Sequence, residues 1–406
     1  MKTGDRTVGA VVFAVGGVGF LVASALLVPW SPVPGGAPDA VSAASVFAPE
    51  QVERAESFAW WARVWSWSSL AVHLVAVSVA GFTHRGRRLF ARLPGRWFVQ
   101  VVLAVALLET GLRVLTLPFT AAAHEHRLEH GLSTQSWSAW VRDVAVGQAV
   151  SITATSIGLV VVLGAARRWR RAWPAVVSLC MVTLVVAGSW LYPVVVEPLF
   201  NSFTPLPAGP LRTQILEVAE REGVSVDDVL VADASRRTTS LNAYVSGLDL
   251  PGLGETRRVV VYDTLVESLP QDQAVSVVAH EIAHARHDDV LIGTALGALG
   301  LGAASGLLPM LLGRRRQLGE AAAVPLLVAL VAWGGVVAAP VENGISRRIE
   351  TRADVDALKA TGDPVAFGEM QKMLALRALA DPTPPAWSQW WWGSHPTVLE
   401  RLALTG

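Results

Sequence analysis

His280, Glu281 and His284 stand in the spacing H-E-x-x-H, flanked by Val277, Val278 and Ala279 on one side and enclosing Ile282 and Ala283. On a helix of 3.6 residues per turn the two histidines lie about 40° apart, one turn above the other, so both imidazoles reach a single ion. Glu281 falls about 100° round from His280 and borders the same face. A carboxylate there can take a proton from a water held at the ion without itself ligating it, as metal-assisted hydrolysis requires. Val275, Val278, Ile282 and Ala285 occupy the opposite side and give the helix an apolar back to pack. The competing reading is two unrelated histidines on a solvated helix face.

A hydrolytic zinc site needs a third protein ligand and an open fourth position. Glu350, in a helical stretch expected over residues 343–360, supplies a carboxylate of the right kind, and Asp354 lies one turn further on. Placed beside the site, Asp354 would accept a hydrogen bond from the far nitrogen of a ligating histidine. By spacing alone the two are equally well read as surface acids on an arginine-rich helix. His395 sits in a loop next to Pro396, where a donor to a developing oxyanion could be held. A loop histidine is more commonly just solvated.

These residues are separated by strongly apolar chain. Of the 406 residues 52% are hydrophobic and only 16% charged, against about 25% charged in an average soluble protein. Seven stretches are long and apolar enough to cross a bilayer, near residues 8–30, 59–82, 97–121, 144–166, 172–196, 290–312 and 321–341. The first exceeds the apolar run of a signal peptide and is read as a true span. Trp60, Trp61, Trp65 and Trp67 mark an interfacial belt at the second, and the tryptophans around 387–392 another. Glu109 and Arg113, at i and i+4 in the third span, are expected as a charge pair neutralised inside the bundle or beside a water-filled cavity. Zero formal net charge gives no electrostatic footprint for nucleic acid. The single cysteine, Cys180, rules out an internal disulfide.

One set of loops collects Lys2, Arg6, Arg85, Arg87, Arg88, Arg92, Arg96, Arg167, Arg168, Arg170, Arg171 and Arg314 to Arg316. The other has Arg54, Arg127 and Arg142 diluted by acids. The positive-inside bias places the N-terminus in the cytoplasm and, after seven spans, residues 197–289 and 342–406 outside. Arg347, Arg348 and Arg352 oppose this, unless they belong to a folded domain.

In the first polar segment, residues 211–222 read as an amphipathic helix stopped by Gly223. Residues 228–234, 241–245 and 258–262 read as short strands, the last behind a turn at 251–254. A small sheet thus feeds the H-E-x-x-H helix, and such helices lie under an edge strand able to pair with an extended peptide.

Taken together, several runs of residues resemble the type 1 CAAX prenyl endopeptidase family, integral-membrane zinc metalloproteases of the gluzincin type. They are Pro198 to Leu206 after the fifth span, Ser240 to Tyr244 with Gly247, His280 to His284, Ser346 to Glu350 with Ala353 and Asp354, and Ser394 to Pro396 followed by Glu400 and Arg401. The resemblance spans most of the chain. It implies that His280, His284 and Glu350 hold one Zn2+ per chain, that Glu281 is the catalytic base and that His395 stabilises the tetrahedral intermediate. Asp354 and Arg401 would support the ligands, and Asn242, Ala243 and Tyr244 would line the substrate groove. The continuation Ala285, Arg286, His287, Asp288, Asp289 is closer to the wider bacterial relatives than to the eukaryotic enzymes, and His287 is read as a surface residue.

The expected molecule is mainly α, a seven-transmembrane-helix bundle with a split zincin-like α+β metalloprotease domain. Residues 1–196 supply five spans, 197–289 the catalytic segment with the sheet, 290–341 a transmembrane hairpin, and 342–406 the helices bearing the third ligand. The expected function is a multi-pass membrane zinc endopeptidase acting on a peptide or protein substrate, embedded in the lipid bilayer and independent of nucleic acid. Its oligomeric state is left open. The alternatives are CAAX-type processing of lipidated peptides, a catalytically silent scaffold or sensor, and a transporter using Glu109 and Arg113. An intact Glu281 argues against the silent scaffold, because a purely structural metal site has no use for a base.

Overall fold

A computed structural model describes residues 4–224, 229–250, 254–312 and 320–406. Lys2, Arg314 to Arg316, Asp228 and the turn residues Pro251 to Leu253 lie outside the described residues.

The N-terminal half is helical: α1 (Gly4–Leu27), the short α2 (Ala43–Val46), α3 (Pro49–Phe82), the short α4 (His84–Phe90), α5 (Trp97–Glu129), α6 (Trp137–Arg168) and α7 (Trp173–Val195). After a 3-10 turn, Glu197–Leu199, come β1 (Phe203–Pro205), α8 (Pro210–Arg221), β2 (Val229–Ala232) and β3 (Ala243–Ser246). The small ribbon of β4 (Asp249–Leu250) and β5 (Gly254–Glu255) leads to β6 (Arg258–Tyr262), α9 (Asp263–Ser268) and α10 (Gln271–Arg286). The chain then continues through α11 (Asp289–Leu311), α12 (Val324–Thr361), α13 (Pro364–Ala378), α14 (Ala386–Trp392) and α15 (Val398–Ala403).

Seven of these helices are long and apolar enough to cross a bilayer. Their outward faces carry exposed apolar side chains such as Val15, Leu21, Leu26, Leu179 and Val337, a surface that only lipid satisfies. Helix α1 lies against α11 through small residues, since a methyl group at Gly306 would stand 2.6 Å from the Gly9 carbonyl oxygen. Close backbone approach of this kind is how helices pack where lipid removes the hydrophobic drive between them. Helices α3, α5, α6 and α12 share a second core around Val77, Val101, Val105, Leu163 and Val324.

Two helices outrun their apolar spans. Helix α3 starts at Pro49, with Trp60, Trp61, Trp65 and Trp67 inside it, and its first turns clasp the C-terminal segment. Arg63 pairs with Asp381 at 2.8 Å, Thr383 donates to Glu56 at 2.8 Å, and the Trp67 and Trp387 rings lie 4.6 Å apart. The expected break between the seventh span and the 343–360 helix does not exist: α12 is one helix of 38 residues. Pro340 removes one backbone hydrogen bond from it without ending it. Just beyond, Asn343 donates to the Trp391 carbonyl at 2.6 Å and Arg347 to that of Gln389 at 3.1 Å, which fastens the helix to α14.

The four-stranded sheet has the order β1-β2-β6-β3, with β2 and β6 parallel and both outer pairs antiparallel. Its apolar face covers α10, and Ile215, Val261, Leu265, Val278, Ile282 and Phe367 form the shared core with α8, α9 and α13. The stripe expected on α8 is confirmed by buried Ile215, Val218 and Ala219, and Gly223 takes the left-handed conformation at its end. Strand β3 is an edge strand lying directly against α10.

Candidate metal centre

Helix α10 presents His280 and His284 on one face, with their Nε2 atoms 3.2 Å apart. The long helix α12 crosses it and brings Glu350 between them. Glu350 Oε2 lies 3.3 Å from His280 Nε2, and Oε1 lies 3.6 Å from His284 Nε2. A tetrahedral ion with bonds of about 2.0–2.1 Å sets its ligands about 3.3–3.4 Å apart, so the donor set has the right span. The chemistry fits as well. Two imidazole nitrogens facing each other repel unless a proton or cation lies between them, and Glu350 Oε2 is buried with no hydrogen-bond partner. Burial alone would depress the His280 imidazole, yet Asp354 and Glu350 outweigh it and hold the proton up to about 10. The pocket is built to collect positive charge.

Each histidine is backed by a carboxylate, and each carboxylate by an arginine. Asp354 Oδ1 lies 2.9 Å from His280 Nδ1, a close ionic contact outside hydrogen-bond geometry, and Arg401 grips both Asp354 oxygens, its Nε at 2.8 Å from Oδ2. His284 Nδ1 lies 2.9 Å from Asp289 Oδ2, and Arg352 of α12 pairs with the other oxygen of Asp289. With a proton on Nδ1 held toward its carboxylate, each imidazole would offer its Nε2 lone pair to an ion lying between the rings.

Asp289 and Arg352 are site residues that the sequence reading missed. Asp289 is five residues past His284, a spacing that does not share a helical face, and it folds back because Asp288 between α10 and α11 has φ of 52°. Aspartate tolerates this left-handed geometry better than most residues, and Arg257 bonds Asp288 Oδ1 at 3.1 Å while also reaching the Ala285 carbonyl at 3.3 Å. His287 corrects its expected role too. It is no bare surface residue, since its Nε2 lies 2.8 Å from Asp356 Oδ2 and joins the end of α10 to α12.

Glu281 borders the site as the helix geometry requires, and its carboxyl makes no hydrogen bond or ion pair among the described residues. Burial pushes its pKa up, with His280 and His284 offsetting part of the rise. His395, in the loop between α14 and α15, reaches in from the far side with Nε2 3.4 Å from Glu350 Oε2. Its Nδ1 lies 2.9 Å from Ser394 Oγ, and burial pulls its pKa down despite the nearby Glu350. With the Ser394 hydroxyl donating to Nδ1, a neutral ring would carry its proton on Nε2.

Of the expected groove residues, Ala243 is buried against α10, and the Asn242 carbonyl accepts from the Tyr262 amide at 2.9 Å. Antiparallel pairing alternates, so Ala243 and Val245 turn their backbone N–H and C=O away from β6 toward the open edge. The Tyr244 side chain goes elsewhere: its hydroxyl donates to Glu197 Oε2 at 3.2 Å, and Arg258 holds the same oxygen at 2.6 Å. A cavity of about 850 Å³ between the loop at 30–38 and the membrane exit of α12 flanks the centre, with Pro396 and Arg401 on its wall. Inside the bundle Glu109 and Arg113 do not form the expected pair. Glu109 accepts from Ser151 and Arg113 donates to Gln148, each at 2.9 Å, both partners being on α6.

Comparison with known proteins places this geometry. The model of peptidase family M48 matches residues 205–404, and that of the CAAX prenyl protease N-terminal region, five membrane helices, matches residues 53–202. An uncharacterised metalloprotease of Bacillus subtilis, YhfN, is 28% identical over 77% of this chain and 74% of its own. A CAAX prenyl protease 1 homolog of rice is 27% identical over 72% of this chain and 69% of its own. The crystal structure of Ste24p from S. mikatae superposes over 100% of this chain and 98% of its own with a TM-score of 0.75 at 20% identity, which establishes a shared fold. With both halves of the chain matched and the H-E-x-x-H helix in place, this protein belongs to peptidase family M48 and is a multi-pass membrane metalloendopeptidase.

Proposed function

We propose that His280, His284 and Glu350 hold one zinc ion and that the surrounding residues use it to hydrolyse peptide bonds. The observation that carries the reading is the convergence of donor atoms, the two Nε2 atoms 3.2 Å apart and each within 3.3 to 3.6 Å of a Glu350 oxygen, with a carboxylate behind each imidazole. When bound, zinc supplies Lewis-acid polarisation of the scissile carbonyl and of the attacking water. Glu281, beside the ligands and without a partner of its own, takes the proton from the water and returns it to the leaving amine. The Nε2–H of His395 donates to the carbonyl oxygen as negative charge develops. Asp354 and Asp289 hold the two imidazoles in the tautomer and orientation that binding needs. Arg401 and Arg352 hold those carboxylates in turn.

The substrate peptide adds as a strand to the open edge of β3, where Ala243 and Val245 offer backbone groups. In this reading the catalytic unit is split, residues 197–289 and 342–406 joined by the membrane hairpin 290–341, behind the five spans of residues 1–196. The charge bias of the loops puts that unit outside the cytoplasm. Peptide or protein chains are the substrates. A prenyl group is a second possibility, favoured by the name of the rice relative, and cleavage of a matched lipidated and unmodified peptide pair decides it.

The mechanism is tested with Glu281→Ala. The variant is expected to keep its zinc, measured by elemental analysis, and to lose peptide cleavage by at least a hundredfold. If it retains zinc and cleaves at the wild-type rate, Glu281 is not the base and the mechanism fails.

A further inference from the structure

A second group of metal-type donors lies outside the catalytic centre, at the last turn of α5. His126, Glu129 and His130 each bring one donor atom within 4.8 Å of the others. Their spacing of i, i+3 and i+4 puts all three on one face of the helix.

The two imidazoles are already oriented. His126 Nε2 lies 3.1 Å from the Phe58 carbonyl oxygen and His130 Nδ1 lies 2.8 Å from that of His126. A carbonyl only accepts, so each of these nitrogens carries the proton and the other ring nitrogen keeps its lone pair. Phe58 of α3 fixes the rings, stacked on His126 at 4.8 Å and tilted against His130 at 5.1 Å. The arrangement repeats the logic of the catalytic ligands, in which one nitrogen is anchored so that the other can bind. Glu129 is exposed and makes no hydrogen bond or ion pair among the described residues, so its carboxylate is available. The site also lies at the C-terminal, negative end of the α5 helix dipole, which favours a cation.

We propose that His126, Glu129 and His130 form a second site for a divalent transition ion of the zinc type, separate from the H-E-x-x-H centre. Two imidazoles and a carboxylate suit zinc, and the exposed side leaves room for water to complete the shell. The ion would fasten the root of the loop that follows α5. That loop grips the segment leading into β3: Thr239 donates to the Gly131 carbonyl at 2.8 Å, Thr238 to that of Leu132 at 3.1 Å, and the Thr134 amide to that of Arg237 at 3.2 Å. The site therefore lies on the same side of the membrane as the catalytic centre.

The test is zinc stoichiometry on the full-length protein in detergent, stripped with a chelator and titrated with zinc alone by equilibrium dialysis. Wild type is expected to bind two equivalents. His126→Ala/His130→Ala and His280→Ala/His284→Ala should each bind one, and Glu129→Gln should weaken only the second step, by tenfold or more. One equivalent in the wild type, or two retained in His126→Ala/His130→Ala, overturns the proposal. If the double variant fails to fold, Glu129→Gln decides, since its side chain is exposed and unpartnered: an unchanged second step refutes the site. Because His280→Ala/His284→Ala reads the catalytic centre separately, failure of one site is distinguishable from failure of the other.

Discussion

In the proposed mechanism Asp354 and Asp289 touch no substrate, yet they set how the imidazoles face the ion. Asp354 is fully buried, and Arg401, with a side chain only 13% exposed, gives it a bidentate partner. Replacing Asp354 or Asp289 by asparagine keeps the shape but weakens the hold on the Nδ1 proton. Zinc affinity is expected to fall about 10- to 100-fold in either variant, read by competition with a chromogenic chelator. Asp354→Ala goes further, because it leaves the largely buried Arg401 guanidinium without its counter-charge. A loss of about 3–5 kcal/mol in stability is expected from that change, seen as a lower denaturation midpoint, whereas Asp354→Asn should lose less. Equal stability of the two variants would show that the Arg401 charge is satisfied by other groups.

At the scale of elements, strand β3 and helix α12 carry most of the consequence. In β3 the ladder alternates, so Ala243→Pro removes an N–H that does not bond β6, while Tyr244→Pro removes one that does. Ala243→Pro is expected to leave the fold intact and raise KM about tenfold, the worth of one lost substrate hydrogen bond. Tyr244→Pro should destabilise the sheet instead. The membrane helices have their own sensitive contact. A side chain at Gly306 meets the backbone of α1, so Gly306→Val should cost about 1–3 kcal/mol by overpacking and lower the melting temperature in detergent. A wild-type melting temperature for Gly306→Val would mean that α1 and α11 have room to part. Helix α12 couples the two environments, since the same helix that meets the membrane core at Val324 and Leu327 carries Glu350 to the centre.

For the whole molecule, the bundle and the catalytic halves are one assembly. The start of α3 clasps the C-terminal segment through Arg63 and Asp381, the loop after α5 grips the segment before β3, and α12 runs from membrane to metal centre. Of the three arginines that oppose an outward catalytic unit, Arg347 and Arg352 are held inside it, while Arg348 is exposed. Arg347 donates to the carbonyls of Gln389 and Gly393, and Arg352 pairs with Asp289. If the C-terminus lies outside, as proposed from the loop charges, an alkaline phosphatase fusion at Gly406 should be active and a green fluorescent protein fusion dark. The opposite pattern would move the catalytic centre to the cytosolic face.

Much of this was written in the sequence because it depends on local spacing. The histidines four residues apart, Glu281 beside them and the seven apolar runs follow from helix periodicity and bilayer thickness, and the resemblance marked Glu350, Asp354, His395 and Arg401 in advance. Other features depend on how distant segments meet. Asp289 supports His284 only because a left-handed residue turns α11 back across α10. Arg352 matters only because α12 continues unbroken past Pro340 and crosses there. Glu109 and Arg113, neighbours on one helix, found better partners on α6 than in each other. Periodicity fixes which residues share a face, but tertiary packing alone settles what that face meets.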